Sequence, residues 1–151
     1  MPTRLGADEM LAVVERHGQF EGAHDWDGTL TTMTADPVYL YYPWRLRCAS
    51  VESITEAWIL TFSFPFFNQG ASPAGPSTTA TYVNDDSVAR IRNFSFRSED
   101  GLLHPSTLIT TYTFDGPLIR TEAVFMDVAL TTYMDEAFGA EFRAIPGVDV
   151  F

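Results

Sequence analysis

Along residues 7–22, apolar side chains recur at three- and four-residue spacing, with Met10, Val13, Val14 and Phe20 on one stripe. The spacing predicts an amphipathic helix. His17 and Glu21, four residues apart, fall on the same stripe and point an imidazole and a carboxylate toward a face that should be dry. Asp25 suits an N-cap, and Trp26, Leu30 and Met33 predict a second helix running through Met33. Past Pro37 the period changes from helical to alternating. Val38, Leu40 and Tyr42 take one face of a predicted strand, and Tyr39 and Tyr41 take the other.

Ser50 can cap a third helix, with Val51, Ile54, Trp58 and Phe62 on one face, while FFNQGASPAGPS (66–77) reads as a loop. A meander follows: TATYV, a turn at Asn84, Asp85 and Asp86, then VARIRNFSF, a SEDGLLHP connection, STLITTYTF and PLIRTEAVFMD. The last two join at Asp115-Gly116, a hairpin signal. Val128, Leu130, Tyr133, Met134 and Phe138 predict an amphipathic tail that returns as a helix over an edge or a pocket mouth. Helices segregated from antiparallel strands make the fold class α+β. One domain is expected over residues 1–151, with its core in 7–128 and the tail in 129–151.

Composition narrows the function. With 46% hydrophobic and 14% aromatic residues, the 151-residue chain has enough apolar mass to fold as one unit. Its net charge is −11 and all nine basic residues are arginine, so phosphate backbones and anionic membrane surfaces are repelled, and neither nucleic acid nor membrane is expected as a partner. Cys48 is the single cysteine and reads as a small hydrophobe. No apolar leader is visible at the N-terminus, and the longest apolar run, 57–67, is too short to span a bilayer, so a cytoplasmic location is expected.

The ordered set of His17, Glu21 and Asp25, then TLTTMTADPVYLYYP, the 50–58 helix and TFDGPLIRTEAVFMD, resembles the nuclear transport factor 2-like superfamily in its SnoaL-like and ketosteroid-isomerase-like branch. The resemblance covers roughly residues 10–128. It implies a cone, a strongly bent sheet wrapped around N-terminal helices and enclosing one deep pocket. It also implies that His17 and Glu21 face that pocket, together with Glu122, Val124 and Met126 of the last strand. The isomerase's proton-shuttling aspartate falls at Tyr42 and its second oxyanion donor near Thr110, with Tyr112 on the same face. Neither acid is kept, which disfavours steroid isomerase activity.

These residues imply acid–base chemistry: His17, Glu21 and Glu122 as catalytic groups, and Tyr42, Tyr112, Thr110, Val124, Met126 and Trp58 as ligand-binding groups. Plainer alternatives remain at this stage. His17 and Glu21 can be a core pair, Trp58 simple core, and a one-residue slip would turn Ile119, Thr121, Ala123 and Phe125 inward instead of Glu122. Arg90 and Arg92 share a face, either as exposed charges or with one of them paired to Glu122; His104 reads as surface. No metal and no organic cofactor is expected, because there is no second helical histidine, cysteine cluster or Gly-rich phosphate loop. The expected partners are a small apolar molecule and a second copy of the chain, docked through an outer sheet face that would carry Tyr39 and Tyr41. The functional expectation is a cofactor-independent isomerase, cyclase or dehydratase acting on a small apolar carbonyl compound. The alternatives are a non-catalytic binding or dimerisation module and an epoxide hydrolase-like enzyme.

Overall fold

The computed structural model describes residues 4–63 and 77–151. The loop expected over 66–77 lies outside the described residues, apart from Ser77 at the start of a strand. Helix α1 (Ala7–Gly22) follows the predicted stripe and buries Met10, Val13, Val14 and His17. Asp25 caps α2 (Trp26–Leu30) by accepting the Gly28 N–H at 2.9 Å. This helix is shorter than predicted, because Met33 already belongs to strand β1 (Met33–Tyr42). The β1 ladder shifts register between Met33 and Val38, and that irregularity accommodates Pro37, which has no N–H to give a ladder.

Strand β2 (Leu46–Cys48) precedes helix α3 (Val51–Ser63), on which Ile54, Ala57, Trp58 and Thr61 are buried. The meander is β3 (Ser77–Val83), β4 (Ser87–Arg97), β5 (Leu103–Asp115) and β6 (Leu118–Met126). Its last hairpin turns on Gly116 at φ 58°, a left-handed conformation that glycine adopts without a Cβ penalty. Asp127 caps α4 (Val128–Arg143), and β7 (Val148–Val150) closes the chain.

The seven strands form one mixed sheet in the order β3-β4-β5-β6-β1-β2-β7. Among the described strands only β1 and β6 run parallel, and that pairing brings the N-terminal strand beside the last strand of the meander. Helices and curved sheet give the expected α+β architecture. The tail is more than a cover. Phe138 and Phe142 of α4 are buried in the core, and β7 extends the sheet beyond β2. Cys48 is fully buried, and burial, followed by the charge of Asp149, pushes its thiol up to about 12, so it acts as a small hydrophobe. Among the described residues, no helix is long and apolar enough to cross a membrane.

Candidate functional site

The site begins at His17, which is fully buried on the inner face of α1. Its Nδ1 lies 2.7 Å from Thr32 Oγ1, and the Thr32 hydroxyl donates to the Thr29 carbonyl at 2.6 Å. A hydroxyl has one hydrogen, so Thr32 can only accept from the ring, and Nδ1 carries a hydrogen. That leaves Nε2 to face the carboxylates. Glu122 Oε2 is 2.9 Å away, but off the direction that a ring N–H needs, so neither atom has a well-directed hydrogen-bond partner. Glu21 Oε2, one helical turn along, is 3.9 Å from the same nitrogen.

Glu122 is 2% exposed and accepts the Tyr39 hydroxyl on Oε1 at 2.8 Å. β1 and β6 make this possible, because Tyr39 and Glu122 are direct register partners across the parallel pair. The electrostatics follow from burial and proximity. Burial opposes charge on His17, but Glu122 and then Glu21 outweigh it, and its pKa is raised above the usual 6.5. Glu21 is pushed up to about 7, first by burial and then by the charge of Glu122, with His17 and Arg92 opposing. A carboxyl that titrates near neutrality beside an ion pair is suited to proton transfer.

These groups border a cavity of about 490 Å³. Glu21 and Glu122 form part of its wall, as do Trp58, Thr110, Tyr112, Val124 and Met126. Helix α4 adds Leu130 and Met134. Gly18 and Gly22 of α1 also border it, and a Cβ added at either would meet nothing within 4 Å. The missing side chains leave room. The inward phase of β6 is therefore the one that presents Glu122, Val124 and Met126, and the slipped alternative is not adopted.

Two expectations are corrected. His17 is absent from the cavity wall. It stands in the core behind the two carboxyls, 2.9 Å from Glu122 and 3.9 Å from Glu21, and reaches the cavity through them. Tyr42 lies on the opposite sheet face, stacked on its register partner Phe125 with ring centroids 4.5 Å apart. The strand phase of β1 is thus the reverse of the expected one, and Tyr39 and Tyr41 line the cavity instead of an outer dimer face. Sequence reasoning therefore missed Tyr39 and Tyr41 as site residues. It also left Arg90 and Arg92 open; both point inward. Arg90 pairs with Glu15 of α1 at 2.8 Å rather than with Glu122. His104 is partly covered, stacked on Phe96 and hydrogen-bonded to Ser98 at 2.8 Å, away from the cavity wall.

His17, Glu21 and Glu122 each offer one ligand atom, all within 4.8 Å of one another, so this trio could hold a divalent cation. The Nδ1–H to Thr32 bond would then fix the ring as ligating histidines are usually fixed. The positive charge of Arg92 on the same cavity acts against a cation there.

The sequence matches no protein-family model and no curated protein. The structure is similar to many solved ones. A nuclear transport factor 2-like protein from Burkholderia xenovorans LB400 superposes with a TM-score of 0.64 at 12% identity, over 88% of this chain and 98% of the other. A protein assigned as a SnoaL-like polyketide cyclase from Jannaschia sp. CCS1 gives 0.62 at 16% identity, over 88% and 94%. TerC, co-crystallized with polyporic acid, gives 0.62 at 13% identity, over 84% and 98%. The chain thus has the nuclear transport factor 2-like fold, in the form shared by SnoaL-like and ketosteroid-isomerase-like proteins. At these identities the likeness extends to the fold alone.

Proposed function

We propose that the cavity is the active site of a cofactor-independent enzyme that moves a proton on a small, largely apolar carbonyl compound, in a reaction of the isomerase, cyclase or dehydratase type. The observation that carries this reading is the pair of carboxyls, Glu21 and Glu122, on one cavity wall with His17 behind them. Glu122, an anion held by Tyr39 and the His17 imidazolium, takes the proton next to the substrate carbonyl. Glu21, titrating at about 7, supplies or receives the second proton. Tyr41 and Tyr112 line the same cavity and offer hydroxyl donors to the developing oxyanion. His17 is a positioning residue, since it acts through Glu122 and Glu21.

The name polyketide cyclase borne by one similar structure fits carbonyl chemistry of this kind. A binding module of the same fold is the second reading. The epoxide hydrolase-like one is set aside, since among the described residues neither Arg90, which pairs with Glu15, nor Arg92 makes an ion pair with Glu21 or Glu122. The test is hydrogen–deuterium exchange at the carbon next to the carbonyl in a panel of aryl ketones, followed by proton NMR. Exchange by the wild type should fall by roughly two to four orders of magnitude in Glu122→Gln. A panel that binds without exchange would assign the cavity to ligand binding, and unchanged exchange in Glu122→Gln would overturn the role of that residue.

A further inference from the structure

Among the described residues, two arginines reach the cavity wall, and only one of them is answered by a carboxylate. Arg90 gives its Nη2 to Glu15 at 2.8 Å. Arg92, two residues along the same inward row of β4, lies between Thr78 of β3 and Leu108 of β5, and its guanidinium makes no hydrogen bond or ion pair with any described residue. Its guanidinium is partly buried. Burial works against its charge, but the fields of Tyr112, Glu21, Glu122 and Tyr39 outweigh it and keep the group protonated. A half-buried, unpaired guanidinium is costly unless something anionic meets it.

Among the described residues, the other charged groups of the cavity have a partner or are only partly ionised. Glu122 faces His17, Glu15 faces Arg90, and Glu21 is close to half protonated at neutral pH. Arg92 is the remainder. Its planar fork matches the two oxygens of a carboxylate or of an enolised dicarbonyl better than a single carbonyl oxygen. The rest of the wall supplies flat apolar surface, with Tyr41, Trp58, Phe62 and Phe94 among the lining residues. Across the sheet Arg92 lines up with Leu108 and then Met126, four residues from Glu122 along β6. The two positions lie roughly 10 Å apart across the strands and about 13 Å apart along them, so a ligand that touches both side chains is extended, at least two fused rings long.

We propose that the cavity takes a planar, bicyclic aromatic acid, whose delocalised anionic oxygens seat on Arg92 while its other end lies at Glu122. Which end reacts rests on the proton-transfer reading above; the anionic anchor does not. The probes are naphthoate and its neutral relative acetonaphthone, titrated against the full chain near neutral pH by calorimetry. Naphthoate should bind the wild type about tenfold or more tightly than acetonaphthone, the advantage of a charged hydrogen-bonded pair. Arg92→Met should abolish that preference while leaving acetonaphthone within about threefold of its wild-type affinity, and Arg92→Lys should retain part of it. Circular dichroism confirms that each variant is folded. If Arg92→Met does not fold, the wild-type preference and its reduction in Arg92→Lys decide the matter. Equal affinities in the wild type, equal losses for both probes in Arg92→Met, or a selective loss in Arg90→Met instead would each overturn the proposal. A naphthoate preference that survives alongside unchanged proton exchange in Glu122→Gln would refute the catalytic reading and leave the anchor standing.

Discussion

Replacing Glu21 with Gln keeps the shape of the protonated acid and removes its ionisation. In the folded protein this carboxyl holds its proton up to about 7, against 4.5 in the ordinary state, because it is buried and faces the charge of Glu122. At about 1.4 kcal/mol per tenfold in proton affinity, that difference is worth at most about 3.5 kcal/mol. The side chain is 16% exposed and lies near His17, so roughly 1–2 kcal/mol is a realistic share. The sign follows from which state binds the proton more tightly. Between about 4.5 and about 7 the folded state does, so stability from this group is complete at the acid end and is lost as pH rises through about 7. Glu21→Gln never bears that loss. Thermal melts of both proteins at about pH 4.5 and about pH 8 should therefore show the variant melting about 3–6 °C higher at the alkaline pH and within about 1 °C at the acid one. A difference that is the same at both pH values would refute the reasoning. A variant less stable at the alkaline pH would show that the Glu21 charge is held favourably by His17.

His17→Gln removes the cation behind Glu122 and breaks the bond to Thr32, so melting should drop by several degrees, the effect of losing about 1–3 kcal/mol. Because His17 acts through Glu122, the acid limb of the exchange–pH profile should also move to higher pH; an unmoved limb would make the residue purely structural. Gly18→Ala should raise the melting temperature by about 1–3 °C, since the new methyl meets nothing within 4 Å and alanine is the better helix former. A fall in melting temperature would show that the cavity face of α1 has no such room. Light scattering should give a dimer of the 16.9 kDa chain, because Ile91, Ile109, Phe125 and Tyr42 form one cross-strand row on the outer sheet face and both Ile109 and Phe125 are 37% exposed; a monomer at micromolar concentration would count against it.

Local periodicity settles which residues share a face. It was enough to find α1, to put His17 and Glu21 on its inner stripe, to locate the Asp115-Gly116 hairpin, and to group Glu122 with Val124 and Met126. The resemblance to a known fold supplied the cone and its cavity. Periodicity cannot say which of two aromatic faces turns inward, and β1 offers tyrosines on both. Its phase is decided by the parallel pairing with β6 and by the register shift next to Pro37, which place Tyr39 opposite Glu122 and Tyr42 on Phe125. Depth is equally hidden. Whether His17 touches a ligand or stands behind a carboxylate depends on a residue on β6 more than a hundred positions along the chain, and the pairing that leaves Arg92 unanswered depends on Glu15 meeting Arg90 across 75 residues. The sequence by itself determined most of the elements and which side chains share a face, because those are set by neighbours two to four residues away. The tertiary structure alone decided which of those groups line the cavity and which are already neutralised, because burial and charge pairing are set by chain segments that meet only once the sheet has closed around the helices.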